Sequence, residues 1–283
     1  MIQTVILPAI DSCEDCEQIE NIISQAGAAK SMSPSANAVV ADLRDRIRQF
    51  DGRALRDRAV LPFGVPEIDE RLPGGGLALA SLHEVCGGGN DAVEGAAAML
   101  FAAGIAARTK GQVLWCLTRP DLFAPAMMQA GLAPGRVIYV EAGDEKSLLL
   151  CFEEGLRHGG LGAVVAEVAR LSMTASRRLQ LAAEAGGTLG IALRRFRHRR
   201  EADAFMLPSA AVTRWRVSMR PSAPLPVPGI GRAQWLLELT RCRSGETAEF
   251  EVEASDAEGR IAFSSRLADR SPEAGSWRRG ASA

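Results

Sequence analysis

No stretch of the sequence approaches the roughly twenty consecutive apolar residues of a membrane-spanning helix, so none is expected. The nearest candidate, Ala92 to Ala107, contains Glu94 and is mostly alanine, which suits a buried helix better. A secretory leader is not expected either. Met1-Ile2-Gln3-Thr4-Val5-Ile6-Leu7 carries no basic group and Asp11 follows soon after, so the chain reads as cytoplasmic. An excess of one sign of charge is missing too: a formal net charge of −1 excludes polyanion binding by bulk charge and leaves that argument to local patches. Histidine is scarce, and His83, His158 and His198 show no ligand spacing. Of the six cysteines, Cys13-x-x-Cys16 has no second Cys or His pair near it. Cys86, Cys116, Cys151 and Cys242 lie in apolar segments and read as small core residues. No metal and no cofactor are expected.

A further absence is local. Gly87-Gly88-Gly89-Asn90-Asp91-Ala92-Val93-Glu94-Gly95 follows an apolar run (Leu79, Leu82, Val85) and precedes a small-residue helix. That strand–glycine loop–helix order is the setting of the G-x-x-x-x-G-K-[ST] phosphate-binding loop, whose backbone N–H groups and Lys cradle phosphates. Here Val93 stands where the Lys belongs and Glu94 where the metal-binding hydroxyl belongs.

What is present is a core. The chain's 283 residues, 47% of them apolar, suffice for one large α/β domain with extensions. Between Leu61 and Arg195, strand-like runs (Ser81–Cys86, Gln112–Leu117, Val137–Glu141, Ala163–Val168, Thr188–Leu193) alternate with helical stretches (Ala92–Arg108, Leu122–Ala130, Glu145–Leu156, Thr174–Glu184). This alternation predicts an α/β fold with a mostly parallel central sheet flanked by helices. Beyond it, Trp215, Val217 and Met219 alternate along the chain, as do Trp235, Leu237 and Leu239, Phe250 and Val252, and Ile261 and Phe263. They predict antiparallel C-terminal strands, with Arg214 and Arg216 on a wet face. Pro221, Pro224, Pro226 and Pro228 mark a loop.

The expected organisation is a flexible segment over 1–35, an N-terminal amphipathic helix and linker over 36–58, the main domain over 59–269 and a disordered tail over 270–283. Met32, followed by Ser-Pro-Ser, is a second candidate start of translation. In the helix, Val39, Val40, Leu43, Ile47 and Phe50 share one face.

Four landmarks in order resemble a RecA-like recombinase core. Phe63-Gly64-Val65-Pro66-Glu67-Ile68-Asp69-Glu70-Arg71-Leu72 with Gly74-Gly75-Gly76-Leu77 resembles its entry. The emptied loop follows, then the strand Gln112–Leu117, then Gly162–Val168, which resembles the Walker B strand with Glu167 in place of the usual Asp. Within that superfamily the chain is most similar to the ImuA family, chiefly through Gly229–Arg243 and Val164–Leu171. The similarity covers roughly residues 43–269.

This resemblance implies a RecA-like fold and a place beside a Y-family-like partner and a C-family error-prone polymerase in SOS-controlled translesion synthesis. It also implies positions for the catalytic groups, and these are not filled. Besides Val93 and Glu94, the glutamate that would polarise the attacking water corresponds to Arg119 or, loosely, Asp121, and only Glu167 remains as a metal-binding carboxylate. Two unit charges about 4 Å apart interact by about 1 kcal/mol in water and about 4 kcal/mol at an effective dielectric near 20. Losing the Lys and adding Asp91 and Glu94 turns several such attractions into repulsions. The expectation is therefore a protein that is not an enzyme, with its own carboxylates answering the helix N-terminus.

Function is then sought on surfaces. Arg194-Arg195-Phe196-Arg197-His198-Arg199-Arg200 follows the last parallel strand, where RecA-like cores carry a DNA-binding loop. Arg194, Arg195, Arg197, Arg199 and Arg200 are candidates for phosphates and Phe196 for stacking on an unpaired base, against the plainer reading of a solvated basic connection. Val40, Leu43, Ile47, Phe50 and Trp277 are candidate partner contacts, with RecA and a second copy of the chain among the partners considered. Two other readings stay open: a SulA-type cell-division inhibitor and a divergent ATP-dependent recombinase.

Overall fold

The computed structural model describes residues 38–39, 42, 58–89, 92–196, 205, 207–222, 229, 231–243 and 245–263. The chain divides into two units, Met1–Ile47 and Arg48–Ala283. In the first, Ala38, Val39 and Asp42 are helical and exposed. Val40, Leu43 and Ile47 lie outside the described residues, as do Phe50 and Trp277 of the second unit.

The second unit runs β1 (Val60–Leu61), α1 (Pro66–Asp69), β2 (Leu77–Ala78), β3 (Leu82–Gly87), α2 (Ala92–Ala107), β4 (Val113–Leu117), α3 (Ala124–Gln129) and β5 (Val137–Glu141). It continues through α4 (Glu145–Arg157), β6 (Ala163–Val168), α5 (Met173–Gly186), β7 (Leu189–Arg194), β8 (Thr213–Arg220), β9 (Gln234–Cys242), β10 (Ala248–Glu253) and β11 (Ala262–Phe263). Nine strands form one sheet in the order β11-β10-β9-β8-β3-β7-β6-β4-β5, and β1 pairs with β2 separately. The pairs from β8 through β3, β7, β6 and β4 to β5 are parallel, and β9, β10 and β11 add on antiparallel. This is the mostly parallel, helix-flanked sheet that a RecA-like core implies.

One assignment changes. The alternation in Trp215, Val217 and Met219 pointed to an antiparallel extension, but β8 pairs parallel with β3 (Glu84 opposite Arg214) and antiparallel only with β9. It belongs to both sets. A parallel neighbour lets β8 bury both faces at its start, where Thr213, Arg214 and Trp215 are all buried.

Helices cover the two faces with separate cores. Phe101 of α2 and Met127 of α3 pack with Val85, Trp115, Val165, Ile191, Trp215 and Trp235 on one face. Leu148, Phe152 and Leu156 of α4 and Leu179 and Ala182 of α5 pack on Leu82, Cys116, Val164 and Ala166 on the other. The small residues of α2 let it lie close against the sheet, and eight of its residues are buried. Polar groups mark the ends of the opposite helices. Asp144 accepts from the Ser147 amide at 2.8 Å to cap α4, and Ser172 from the Ala175 amide at 3.1 Å to cap α5. Gly187, at φ 66°, ends α5 in the left-handed conformation that glycine adopts without strain. Among the described residues no helix is long and apolar enough to cross a membrane.

Candidate functional site

The phosphate-loop region retains its place between β3 and α2, and its glycines have a reason of their own. The Gly88 amide donates to Val217 O at 2.8 Å, extending the ladder to β8. A Cβ on Gly88 would stand 1.9 Å from Ser218 Oγ, and one on Gly87 2.7 Å from the backbone carbon of Glu94. The backbone of the first turn of α2 therefore requires glycine at 87 without any phosphate, and the Ser218 side chain crowds position 88. Val93 is exposed, and Glu94 Oε2 accepts from the Met219 amide at 3.0 Å, tying the first turn of α2 to β8. Gly89 is exposed; Asn90 and Asp91 lie outside the described residues.

Glu167, at the end of β6, is buried and held from two sides. Trp115 Nε1 donates to Oε1 at 2.9 Å, and Arg195 Nη1 donates to Oε2 at 2.6 Å. The same guanidinium makes a two-pronged contact with Asp121, at 2.7 and 3.0 Å. Burial opposes the Arg195 charge, but the hydrogen bonds to Asp121 and the charge of Glu167 more than offset it and hold its pKa above the ordinary value. Asp121 is held below the usual carboxylate range, chiefly by its hydrogen bond from Arg195. These groups line a polar cavity of about 470 Å³ with Arg119, Asp144, Glu145 and Phe196, at the carboxyl ends of the parallel strands. The two residues matched to the missing catalytic glutamate, Arg119 and Asp121, thus do meet Glu167 in one place.

Three features of these residues bear on whether a nucleoside triphosphate and its metal would fit. Val93 stands in the Lys position, Glu94 in the hydroxyl position is bonded to β8, and Arg195 sits on the Glu167 carboxylate. Among the described residues no cluster of His, Cys, Asp or Glu is arranged to hold a metal. Burial raises the Cys86 and Cys116 thiols to about 12 and Cys242 to about 11, consistent with core residues, whereas Cys151 is only partly buried.

The basic run is reassigned in part. Arg194 is only 3% exposed and donates to Glu84 at 2.9 Å and to Ala169 O at 3.0 Å, so it leaves the candidate DNA-binding set. Arg195 is engaged by Glu167 and Asp121 as described. Phe196 is half-buried and meets Phe205 edge-on, with centroids 6.0 Å apart. Arg197, Arg199 and Arg200 lie outside the described residues. Arg214, expected on a wet face, is buried too: its guanidinium donates to Glu84 at 3.3 Å and to Leu207 O at 2.9 Å, and lies 4.8 Å over the Phe205 ring. The signal for this was in the sequence, since Glu84 stands within an apolar strand and a buried carboxylate needs cations.

Against known proteins, the chain is 40% identical over 206 residues to proteins named Protein ImuA from two strains of Caulobacter vibrioides, covering 70% of this chain and 84% of each relative. The chain belongs to the ImuA family. No protein-family model matches it. Among solved structures, this ImuA-family chain is similar to a RadB recombinase (18% identity, 72% of this chain and 99% of that one, TM-score 0.49). It is also similar to SulA from Pseudomonas aeruginosa (24% identity, 40% and 96%, TM-score 0.34). Both likenesses are loose, and the fold of the ImuA-family chain rests on its own strand order.

Proposed function

We propose that this chain is a non-catalytic RecA-like accessory protein of DNA-damage-induced translesion synthesis and mutagenesis, working through contacts with other proteins in the cytoplasm. Membership of the ImuA family supports the coarse part, a role in the ImuA mutagenesis system. The finer part names a Y-family-like partner and a C-family error-prone polymerase as its contacts, with RecA and single-stranded DNA as further candidates. One observation carries the non-catalytic reading: Arg195 is seated between Glu167 and Asp121, where a nucleotidase needs a free carboxylate for its metal. Val93 and Glu94 in the loop agree with it.

Two measurements test the reading. Titration of the purified chain with a fluorescent ATP analogue and magnesium is expected to show no saturable binding, and phosphate release no turnover above background. Saturable binding that disappears in Glu167→Gln would overturn the non-catalytic reading in favour of a divergent recombinase. Co-purification of the tagged chain from damage-treated cells is expected to bring down the polymerase and its Y-family-like partner. Recovery of a tubulin-like division protein in their place would favour the SulA-type alternative.

A further inference from the structure

Along the outer face of α5 runs an open groove of about 680 Å³, closed on its other side by residues 209–210 and by the end of β9. It lies apart from the Glu167 cavity and shares no lining residue with it. Among the described residues its walls carry Arg177, Arg241, which also donates to Ser209 O, and Arg243, with one carboxylate, Glu184. That carboxylate is already engaged, by Arg58 at 2.8 Å and by Gln180 at 2.9 Å. Behind the wall lies Arg214, which shares Glu84 with Arg194. Burial lowers the Arg241 pKa, and the neighbouring charge of Arg214 lowers it further. In a chain of net charge −1, this wall holds a local surplus of arginine.

The groove also has an apolar rim. Leu181 is 64% exposed and Met173 40% exposed, and both line it. Their side chains stand on the same stripe of α5 as Arg177, at spacings of four residues. A solvated basic surface does not need exposed Leu and Met, and a nucleic-acid backbone offers no apolar group to cover them.

From this arrangement we infer that the groove is a docking site for an acidic, amphipathic peptide segment of a partner protein. Carboxylates of the segment meet the exposed Arg177, with Arg241 and Arg243 adding positive charge beside it, and an apolar side chain covers Leu181 and Met173. Arginine suits the role because its planar fork takes a carboxylate two-pronged. The charges steer and orient the segment, and the apolar contact supplies the desolvated centre. The inference deepens the accessory reading and rests on it. Its test needs neither nucleotide nor a damage-induced partner, so the two fail separately.

The experiment is fluorescence anisotropy on the full chain with three labelled probes. They are a peptide of Glu and Leu with its leucines on one helical face, an all-Glu peptide of equal length, and an oligothymidylate of matched charge. The Glu/Leu peptide is expected to bind tightest. Arg177→Glu is expected to weaken it by about tenfold or more and Leu181→Ser by about threefold to tenfold. Both positions are exposed, so the variants are expected to keep the parent's thermal midpoint; Arg177→Gln serves as a milder second variant if charge reversal shifts it. Unchanged peptide affinity in Arg177→Gln and Leu181→Ser, or equal binding of the all-Glu peptide, would overturn the inference. Tighter, Arg177-dependent binding of the oligothymidylate would overturn it as well and make the groove a nucleic-acid site.

Discussion

Two clusters of carboxylate and arginine sit on opposite faces of the same sheet. On the α4–α5 face, Glu84 of β3 is fully buried and takes Arg194 from β7 on one side and Arg214 from β8 on the other. On the α2 face, Glu167 of β6 takes Trp115 from β4 and Arg195 from beyond β7, but here the arginine reaches into a polar cavity and a second acid, Asp121, is half exposed. The first cluster is sealed and ties three strands together; the second is open to water on one side. A sealed charge depends wholly on its partners, because the interior offers no solvent to replace them, whereas an open one is partly re-solvated when a partner leaves. Consecutive residues, Arg194 and Arg195, therefore serve opposite faces with different consequences.

The largest effect is expected at the sealed cluster. Glu84→Gln leaves two buried guanidinium groups without their counter-charge and should cost about 3–5 kcal/mol in urea unfolding. A loss below about 1 kcal/mol would erase the contrast between the clusters. The residue before it sharpens the contrast from the neutral side. His83 is buried, with Nε2 2.9 Å from Ala78 O and Nδ1 2.7 Å from the Thr213 hydroxyl, and burial lowers its pKa from 6.5 to about 4. The unfolded chain binds the proton more readily, so stability is present above pH 6.5 and is lost as pH falls from 6.5 towards 4. The loss should reach about 3 kcal/mol, and His83→Gln should flatten the pH profile of the unfolding free energy in that window.

At the open cluster, Arg195→Ala should cost about 1–2 kcal/mol, because cavity water and the Trp115 donor still serve Glu167. Asp121 has its folded pKa depressed. Its pair with Arg195 thus contributes above the unfolded carboxylate value and is lost as pH falls through the lower folded value. Below that value the acid-induced loss of stability should be smaller in Arg195→Ala than in the parent, by thermal unfolding. The smallest effect belongs to Arg58 and Glu184, paired at 2.8 Å with both side chains about a third exposed. Arg58→Ala should cost about 0.5 kcal/mol, and less in high salt. A cost as large as that of Arg195→Ala would show that the cavity does not set the second cluster apart.

Much of this molecule was legible along the chain. The apolar run Ala163–Val168 marks β6 at its observed bounds, because a buried parallel strand needs uninterrupted apolar or β-branched residues. Val137–Glu141 marks the edge strand β5, where Ile138 and Tyr139 stay exposed, through its β-branched and aromatic residues. Spacing from the glycines located Val93 and Glu94, and the position of Glu167 at the end of its strand was plain. The role of β8 was not, since alternation reports how a strand's faces are buried and says nothing of its neighbour's direction. The pairing of Glu84 with Arg194, residues 110 apart, was not legible either. Nor was the groove along α5, whose arginines come from two elements that meet only through the sheet order.

By itself the sequence determined the order of elements, the RecA-like frame and the presence of Val93 and Glu94 after the glycine loop, because these depend on local periodicity and on residue identity at fixed spacing. Only the tertiary structure decided what each arginine does. Arg194 and Arg214 neutralise a buried acid, Arg195 holds Glu167 and Asp121, and Arg177 stands exposed on a groove. A guanidinium carries the same charge wherever it lies in the chain. Burial and the carboxylates brought against it from distant strands determine whether that charge is consumed within the fold or offered at its surface.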